Sequence, residues 1–213
     1  MIAISTAYKK ALIAYDIKGK RGVREIDANH AHSENLLFSL DVLLDESGTN
    51  IKDNDKYAVV IGPGSFTGIR IGMALVKGLC AGGNNEKVVP ITTFDLMAYS
   101  YLKTTPKRNF VTIINALSGL YYVCGYDKDG NKVSEEEVVT KEGLEKFNDF
   151  DKVGLEEENL CNILVQPTGE ELLKLASQSE KNAVDSKIIA PMYLRRSQAE
   201  DDLEKNLKIT EKC

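Results

Sequence analysis

The sequence predicts an α/β protein built from two related lobes. Strand-like segments rich in Val and Ile alternate with helix-like segments along most of the 213 residues. A glycine-rich loop in the first half joins a buried strand to an apolar helix. An antiparallel meander followed by helix and strand units occurs twice, which we interpret as a weak repeat of one architecture.

The first half begins with the meander. We predict strands at residues 1–4, 11–15 and 23–26, with a turn at Lys18-Gly19-Lys20 between the second and third. A helix follows, with Ser33 as its N-cap and with Ser47 and Gly48 ending it. Its core-facing side is predicted to carry five leucines: Leu36, Leu37, Leu40, Leu43 and Leu44.

The same helix carries a second apolar stripe. Phe38 and Val42 lie about 200° to 240° around the axis from Leu36, at ~100° per residue. No partner for this stripe is predicted within the nearby chain. Two interpretations stay open: a docking face, or one exposed Phe on an ordinary surface helix.

The glycine-rich segment is the most informative passage. It predicts a strand at residues 57–61, a tight loop at 62–68 and a helix to about Ala81. Gly62 and Gly64 allow positive φ, and Pro63 fixes the turn between them. The loop can therefore approach a phosphate at the helix N-terminus, or another part of a protein.

The helix after this loop is apolar around nearly its whole circumference, with Arg70 and Lys77 marking the polar stripe. Such a helix is covered on more than one side. Gly68 and Gly72 lower its surface, and Gly72 costs about 1 kcal/mol relative to alanine, so we expect a packing reason for it. The covering element can be a partner, or the chain's own core around an internal helix.

The second half repeats the pattern more loosely. After a strand at 88–91 and a helix at 94–102, which complete the first half, we predict strands at 109–115, 120–126 and 132–139 and a helix from Thr168 through Ala176. Apolar patches at 153–155 and 163–165 flank an acidic stretch. The predicted domains are residues 1–105, residues 106–196 and a charged, mobile tail at 197–213.

Composition excludes several classes of protein. The net charge of −5 argues against binding of a phosphate backbone by this chain alone. No stretch approaches the ~20 apolar residues that span a bilayer, and no secretory signal is present, so we expect a cytoplasmic protein. The four cysteines are widely spaced and predict reduced thiols rather than a disulfide or metal site; no cofactor is predicted.

Three passages together resemble one family. Residues 62–72 read Gly-Pro-Gly-Ser-Phe-Thr-Gly-Ile-Arg-Ile-Gly, residues 32–34 read His-Ser-Glu, and residues 191–195 read Pro-Met-Tyr-Leu-Arg. This combination resembles the bacterial TsaB family, also called YeaZ, which acts in tRNA threonylcarbamoyladenosine biosynthesis. The resemblance covers residues 1–196, with dense identity only at 61–78.

The resemblance implies an actin-like fold with two related lobes, as in hexokinase and Hsp70, in a catalytically degenerate form. It implies a non-catalytic subunit that binds and activates a TsaD-type threonylcarbamoyltransferase, which modifies adenosine 37 of tRNAs reading ANN codons. A TsaE-type ATPase joins the complex, tRNA is contacted only through it, and the chain alone forms a homodimer. The two apolar helices correspond to the surface that the family uses for pairing.

From these helices we predict a partner interface and a vestigial phosphate contact. The interface comprises Phe38, Val42, Gly68, Gly72, Met73 and Val76. The phosphate contact comprises the loop residues Gly62, Gly64, Ser65 and Thr67.

Two departures from the family pattern weaken a catalytic role. Ser5 stands where the family usually has an aspartate, and residues 115–120 lack the charged residues of the corresponding family stretch. An actin-like nucleotide-binding protein or ATPase is the main alternative, although the loop lacks the Lys-Ser/Thr of a P-loop. A glycoprotease-like metallopeptidase is a remote alternative, because His30 and His32 do not share a helix face.

Overall fold

Two mixed β-sheets organise the chain. A computed structural model describes residues 1–27, 33–82, 86–104, 108–156 and 160–195. The first sheet has the strand order β11-β5-β4-β1-β2-β3 and the second the order β10-β9-β6-β7-β8. The strands are β1 (Ile2–Ser5), β2 (Lys10–Ile17), β3 (Lys20–Asp27), β4 (Tyr57–Gly62), β5 (Lys87–Thr92), β6 (Phe110–Asn115), β7 (Leu120–Tyr126), β8 (Glu137–Thr140), β9 (Asp151–Gly154), β10 (Ile163–Leu164) and β11 (Val184–Asp185).

Among the described residues, four α-helices and three short 3₁₀ turns connect these strands. The helices are α1 (Ser33–Glu46), α2 (Phe66–Gly82), α3 (Thr93–Leu102) and α4 (Gly169–Gln178), and the 3₁₀ turns are Ile51–Asp53, Glu142–Phe147 and Glu180–Asn182. The predicted meander is confirmed, because β1 pairs antiparallel with β2 and β2 with β3. Strand β1 also pairs parallel with β4, which pairs parallel with β5.

Helices α1 and α2 cover the same face of the first sheet. The register places Ile2 opposite Tyr15 and Ile4 opposite Ile13, so Ile4 and Tyr15 point to one face. Gly72 of α2 lies over Ile4 of β1. Tyr15 of β2 and Leu43 of α1 both lie against Gly22 of β3. The two helices that the sequence singles out therefore lie in one layer, on the same face of the first sheet.

Four of the five leucines predicted to face the core pack α1 onto the first sheet, and the fifth does not. Leu36, Leu40, Leu43 and Leu44 are buried in the first core as predicted. Leu37 was predicted on the same face but is 51% exposed. The 100° step from Leu36 carries it past the edge of the buried stripe.

Helix α4 covers the opposite face of the first sheet. Gly169 begins this helix against Val23, which is on β3, and against Ala14, which is on β2. The C-terminal part of the chain thus returns to the first sheet, where β11 pairs antiparallel with β5. The predicted boundary at residues 105 and 106 and the tail at 197–213 lie outside the described residues, so the division into domains stays a prediction.

A polar joint connects α3 to α4. Thr168 and Glu171 form a capping box at the start of α4, which confirms the predicted N-cap. The Glu171 carboxylate also accepts a hydrogen bond from Ser100 Oγ at 2.7 Å and pairs with Lys103 Nζ at 2.9 Å. Burial opposes ionisation of this carboxyl, but the bonds from Lys103, Ser100 and the Thr168 amide outweigh it and lower the pKa of Glu171.

In the part of the chain that the structure describes, no helix is long and apolar enough to cross a membrane.

The polar joint predicts a pH-dependent stability. Because the folded-state pKa of Glu171 is lowered, its contribution is present above the ordinary glutamate pKa of 4.5 and is lost as the pH falls through the folded value. Glu171→Gln should lower the free energy of unfolding at pH 7 by about 1.5–3 kcal/mol, the range for hydrogen bonds to charged groups. In urea titrations between neutral pH and pH 3, the difference in the free energy of unfolding between the wild type and Glu171→Gln should shrink as the pH falls.

Glu170→Gln is the matched control, since Glu170 is exposed in the same helical turn. It should change the free energy of unfolding by less than about 0.5 kcal/mol. Equal losses in both variants would contradict the account of the joint.

Candidate functional site: the glycine elbow and the two-helix face

The glycine loop is fastened to the end of β1. Gly62 and Gly64 have φ of 113° and 155°, a region that favours glycine. A Cβ atom on Gly64 would lie 2.1 Å from the carbonyl oxygen of Ala7. The Ser65 amide donates to the same oxygen at 2.7 Å. The loop therefore approaches the chain's own backbone as closely as two peptide segments can.

Two further glycines extend this contact along α2. A Cβ on Gly68 would lie 2.0 Å from the Thr6 carbonyl oxygen, and one on Gly72 would lie 2.4 Å from Thr6 Oγ1. Thr6 Oγ1 donates to the Gly68 carbonyl oxygen at 2.6 Å. We call residues 62–72 together with Thr6 and Ala7 the glycine elbow.

Two backbone amides of the elbow, which a bound phosphate would need as donors, already donate to groups of the chain itself. The Ser65 amide is bonded to Ala7, and the Gly68 amide donates to Ser65 Oγ at 3.1 Å. Ser65 Oγ thus acts as the cap of α2. The predicted phosphate contact at Gly62, Gly64, Ser65 and Thr67 stays a prediction, with Thr67 exposed beside these engaged groups.

Ser5 lies in the core rather than in a cleft. Its side chain is fully buried, and its Oγ has no hydrogen-bond partner among the described residues. The departure from the family's aspartate therefore falls at a buried position.

Two cavities lie on either side of the elbow. The first, of about 360 Å³, lies between the β1–β2 turn and the second sheet, with Tyr8, Ser65, Ile114, Gly154 and Cys161 in its wall. The second, of about 600 Å³, lies between the start of α2 and the segment near residue 193. Its wall includes Phe66, Thr67, Leu117, Tyr122, Tyr193 and Arg195.

The predicted interface divides into buried and accessible residues. Phe38 is 65% exposed, Leu37 beside it is exposed, and Val42 is half-buried. Met73 and Val76 are only 4% and 1% exposed because they pack into the first core. Both side chains are thus engaged in the core of the chain, and their role as contact residues stays a prediction.

Gly68 and Gly72 also face inward. Both lie against Thr6, which follows β1, so their small size serves an internal contact, and their part in a partner interface stays a prediction. The accessible stripe of α2 lies elsewhere, at Arg70, Ala74, Gly78 and Ala81. The helical projection predicted that α2 would be covered twice but could not identify which glycines face inward.

Two of the cysteines are packed in the cores of the molecule. Cys80 and Cys124 are buried free thiols, and Cys161 is half-buried. Burial raises the pKa of Cys80 and of Cys124 to about 11, which keeps both thiols protonated at neutral pH. Cys213, His30 and His32 lie outside the described residues.

Sequence comparison identifies relatives of the chain. A family profile described as TsaD, tRNA N6-adenosine threonylcarbamoyltransferase, matches residues 10–162, more than half of the chain. The tRNA threonylcarbamoyladenosine biosynthesis protein TsaB of Haemophilus influenzae is 32% identical over 117 residues, which are 54% of this chain and 49% of that protein. TsaB of Escherichia coli is 28% identical over 144 residues, or 66% and 62% of the two chains. The matches therefore span about half to three fifths of these relatives.

Solved structures show the fold. A Pseudomonas aeruginosa protein described as similar to peptidase YeaZ superposes with a TM-score of 0.75 at 22% identity, covering 91% of this chain and 98% of that one. YeaZ from Pseudomonas aeruginosa gives a TM-score of 0.74 at the same identity and coverage.

The molecule is thus an α/β protein of the actin-like, two-lobe class. The chain matches the TsaD family profile over most of its length. Within that wider family it belongs to the TsaB (YeaZ) family.

The elbow predicts unequal effects for two glycines of one helix. Gly68→Ala should lower the free energy of unfolding by about 1–3 kcal/mol, because the new methyl group would overlap the Thr6 carbonyl and force the backbone apart. Denaturant titration of the purified variant measures this loss.

Gly78→Ala is the matched control in the same helix, since a Cβ there meets nothing within 4 Å. It should raise stability by up to about 1 kcal/mol through helix propensity. A neutral or stabilising Gly68→Ala would show that the elbow does not depend on this contact.

Proposed function

We propose that the chain is a non-catalytic subunit in the formation of threonylcarbamoyladenosine at position 37 of tRNAs reading ANN codons. The names of its TsaB relatives support this role. The observation that carries the proposal is the accessible apolar face of α1, with Leu37 51% and Phe38 65% exposed beside a second helix.

The proposed partner is a TsaD-type threonylcarbamoyltransferase. A TsaD-type enzyme of Kosmotoga olearia is itself 42% identical over 92 residues, 43% of this chain and 28% of that enzyme, which supports a partner of related fold. We propose that a TsaE-type ATPase joins the complex, that tRNA is contacted only through it, and that the chain pairs with a second copy when alone. This role places the complex in the cytoplasm.

The docking face that we propose combines the two helices. Leu37 and Phe38 of α1 supply the apolar anchors, with Val42 at their edge. Ala74 and Gly78 of α2 supply a flat strip that lets another helix approach closely. Burying two large side chains at the centre of such a face is typical of protein interfaces.

Catalysis is assigned to the partner in this proposal. The Ser65 and Gly68 amides are bonded within the elbow, and Ser5 is buried, so neither supports the nucleotide-hydrolysing alternative. The subunit acts instead by holding the enzyme in its active arrangement. An assay of tRNA modification with the partner alone and with the chain added tests this directly.

Phe38→Asp should weaken the pairing while the chain stays folded. Phe38 is mostly exposed, so the substitution should change stability of the chain alone by about 0.5 kcal/mol or less. Removing a central apolar anchor and inserting a charge should weaken binding at least about tenfold. Co-expression with the tagged TsaD-type protein of the same organism, followed by gel filtration and titration calorimetry, measures the loss.

Ile188→Asp serves as the control, because Ile188 is 73% exposed but lies outside both helices. It should bind like the wild type. If Phe38→Asp binds as well as the wild type, α1 is not part of the interface. If the wild type itself neither assembles with the TsaD-type protein nor supports tRNA modification, the proposed function is wrong.

A further inference from the structure

Residues 191–195, which we call the clasp segment, contact both lobes. The sequence shows the segment only as a family pattern and assigns it no role. In the structure it passes beside the glycine elbow and reaches the turn between β6 and β7. It therefore joins two parts of the molecule that belong to different sheets.

The backbone of the clasp segment is bonded to the end of β4. The Met192 amide donates to the Ile61 carbonyl oxygen at 2.8 Å. The Met192 carbonyl oxygen lies so near Gly62 that a Cβ there would be 3.1 Å away. This end of the segment is thus fixed to the first sheet.

An aromatic stack continues the contact onto α2. The ring of Tyr193 stacks on Phe66 with centroids 5.0 Å apart, and the Arg70 guanidinium lies 3.8 Å from the Phe66 centroid. Arg70 Nε also donates to the Tyr193 hydroxyl at 2.7 Å. Stacking and a hydrogen bond therefore act on Tyr193 of the segment, and the cation–π contact holds Arg70 against its stacking partner Phe66.

The other end of the clasp segment holds the second lobe. Arg195 Nη1 donates to the carbonyl oxygens of Ala116 at 2.8 Å and Leu117 at 3.3 Å. Met192 and Leu194 pack against the core beneath the second sheet. The carbonyls that Arg195 contacts belong to a tight turn, in which the Ala116 amide donates to the Leu120 carbonyl oxygen.

We infer that the clasp segment fixes the β6–β7 turn of the second lobe against the glycine elbow and thereby sets the width of the cleft between them. The cavity of about 600 Å³ is walled by residues of all three parts, so their spacing determines its size. Lobes that share one chain move relative to each other unless such contacts hold them. The inference stands independently of the proposed function.

The polar anchors of the clasp segment are accessible to solvent. Tyr193 is 44% exposed, and Arg195 is half-buried, so both anchors meet solvent. Their bonds are replaced by water when the segment lifts, unlike the bonds of a buried core. The segment therefore sets the lobe arrangement without adding a large share of the folding energy.

Interspin distances between the lobes test the inference. Spin labels at Lys174→Cys of α4, which covers the face of the first sheet opposite α1 and α2, and at Glu145→Cys of the second lobe occupy exposed positions. Cys161 and Cys213 are replaced by serine, while the buried Cys80 and Cys124 stay. The wild-type background should give one narrow distance distribution by pulsed electron resonance.

Arg195→Met keeps the aliphatic length of the side chain and removes the donors to the turn. We expect its distance distribution to broaden about twofold towards longer values, as in hinge opening. Arg195→Lys, which retains one charged donor, should broaden less, and Arg108→Ala at an exposed arginine should match the wild type.

Circular dichroism and thermal melts establish that each variant is folded. If Arg195→Met lowers folding too far to be labelled, Tyr193→Ala, which removes the stack on Phe66, is judged by the same criterion. A folded variant with an unchanged distance distribution would overturn the inference. Broadening by Arg108→Ala to the same extent would also overturn it, because the effect would then not belong to the clasp segment.

Discussion

The contact between the glycine elbow and the end of β1 is the constraint on which the rest of the structure depends. Gly64 and Gly68 bring α2 against the backbone at Ala7 and Thr6, at distances that admit no side chain. This approach fixes where α2 lies on the first sheet, and α1 covers the same face beside it. The exposed face of α1 thereby acquires a neighbour with a flat, small-residue strip. The contact of Gly64 and Gly68 with the backbone at Ala7 and Thr6 thus links the glycine motif to the proposed docking face.

A glycine-rich loop before a helix can either bind a phosphate or pack against another part of the protein, and the contacts of the elbow favour packing. Glycines next to a helix N-terminus are typical of phosphate-binding loops, because they expose backbone amides to an anion. Here the Ser65 and Gly68 amides are bonded to Ala7 and to Ser65 itself. The same small residues that would admit a phosphate admit the chain's own strand instead. A helix positioned in this way can present a surface, which is the requirement for a subunit that acts by pairing.

Much of the fold could be predicted from the sequence, because local signals were strong. Alternating apolar strands, the leucine stripe of α1 and the capping residue Thr168 each depend on nearby residues alone. The site was harder, because helical projection shows that α2 is apolar all round but not which side meets β1. Met73 and Val76 were therefore assigned outward, although they are buried. The bond between Arg195 and the turn at Ala116 spans 79 positions, and no local pattern encodes it.

The Ser65 and Gly68 amides of the elbow are engaged within the chain rather than reserved for a nucleotide. Amide hydrogen exchange by NMR, without and with ATP and Mg²⁺, tests this at single residues. The account predicts slow exchange at Ser65, whose amide donates to Ala7 at 2.7 Å, and the same rate after nucleotide is added. Fast exchange at Ser65 in the free chain that becomes slow when ATP and Mg²⁺ bind would contradict it.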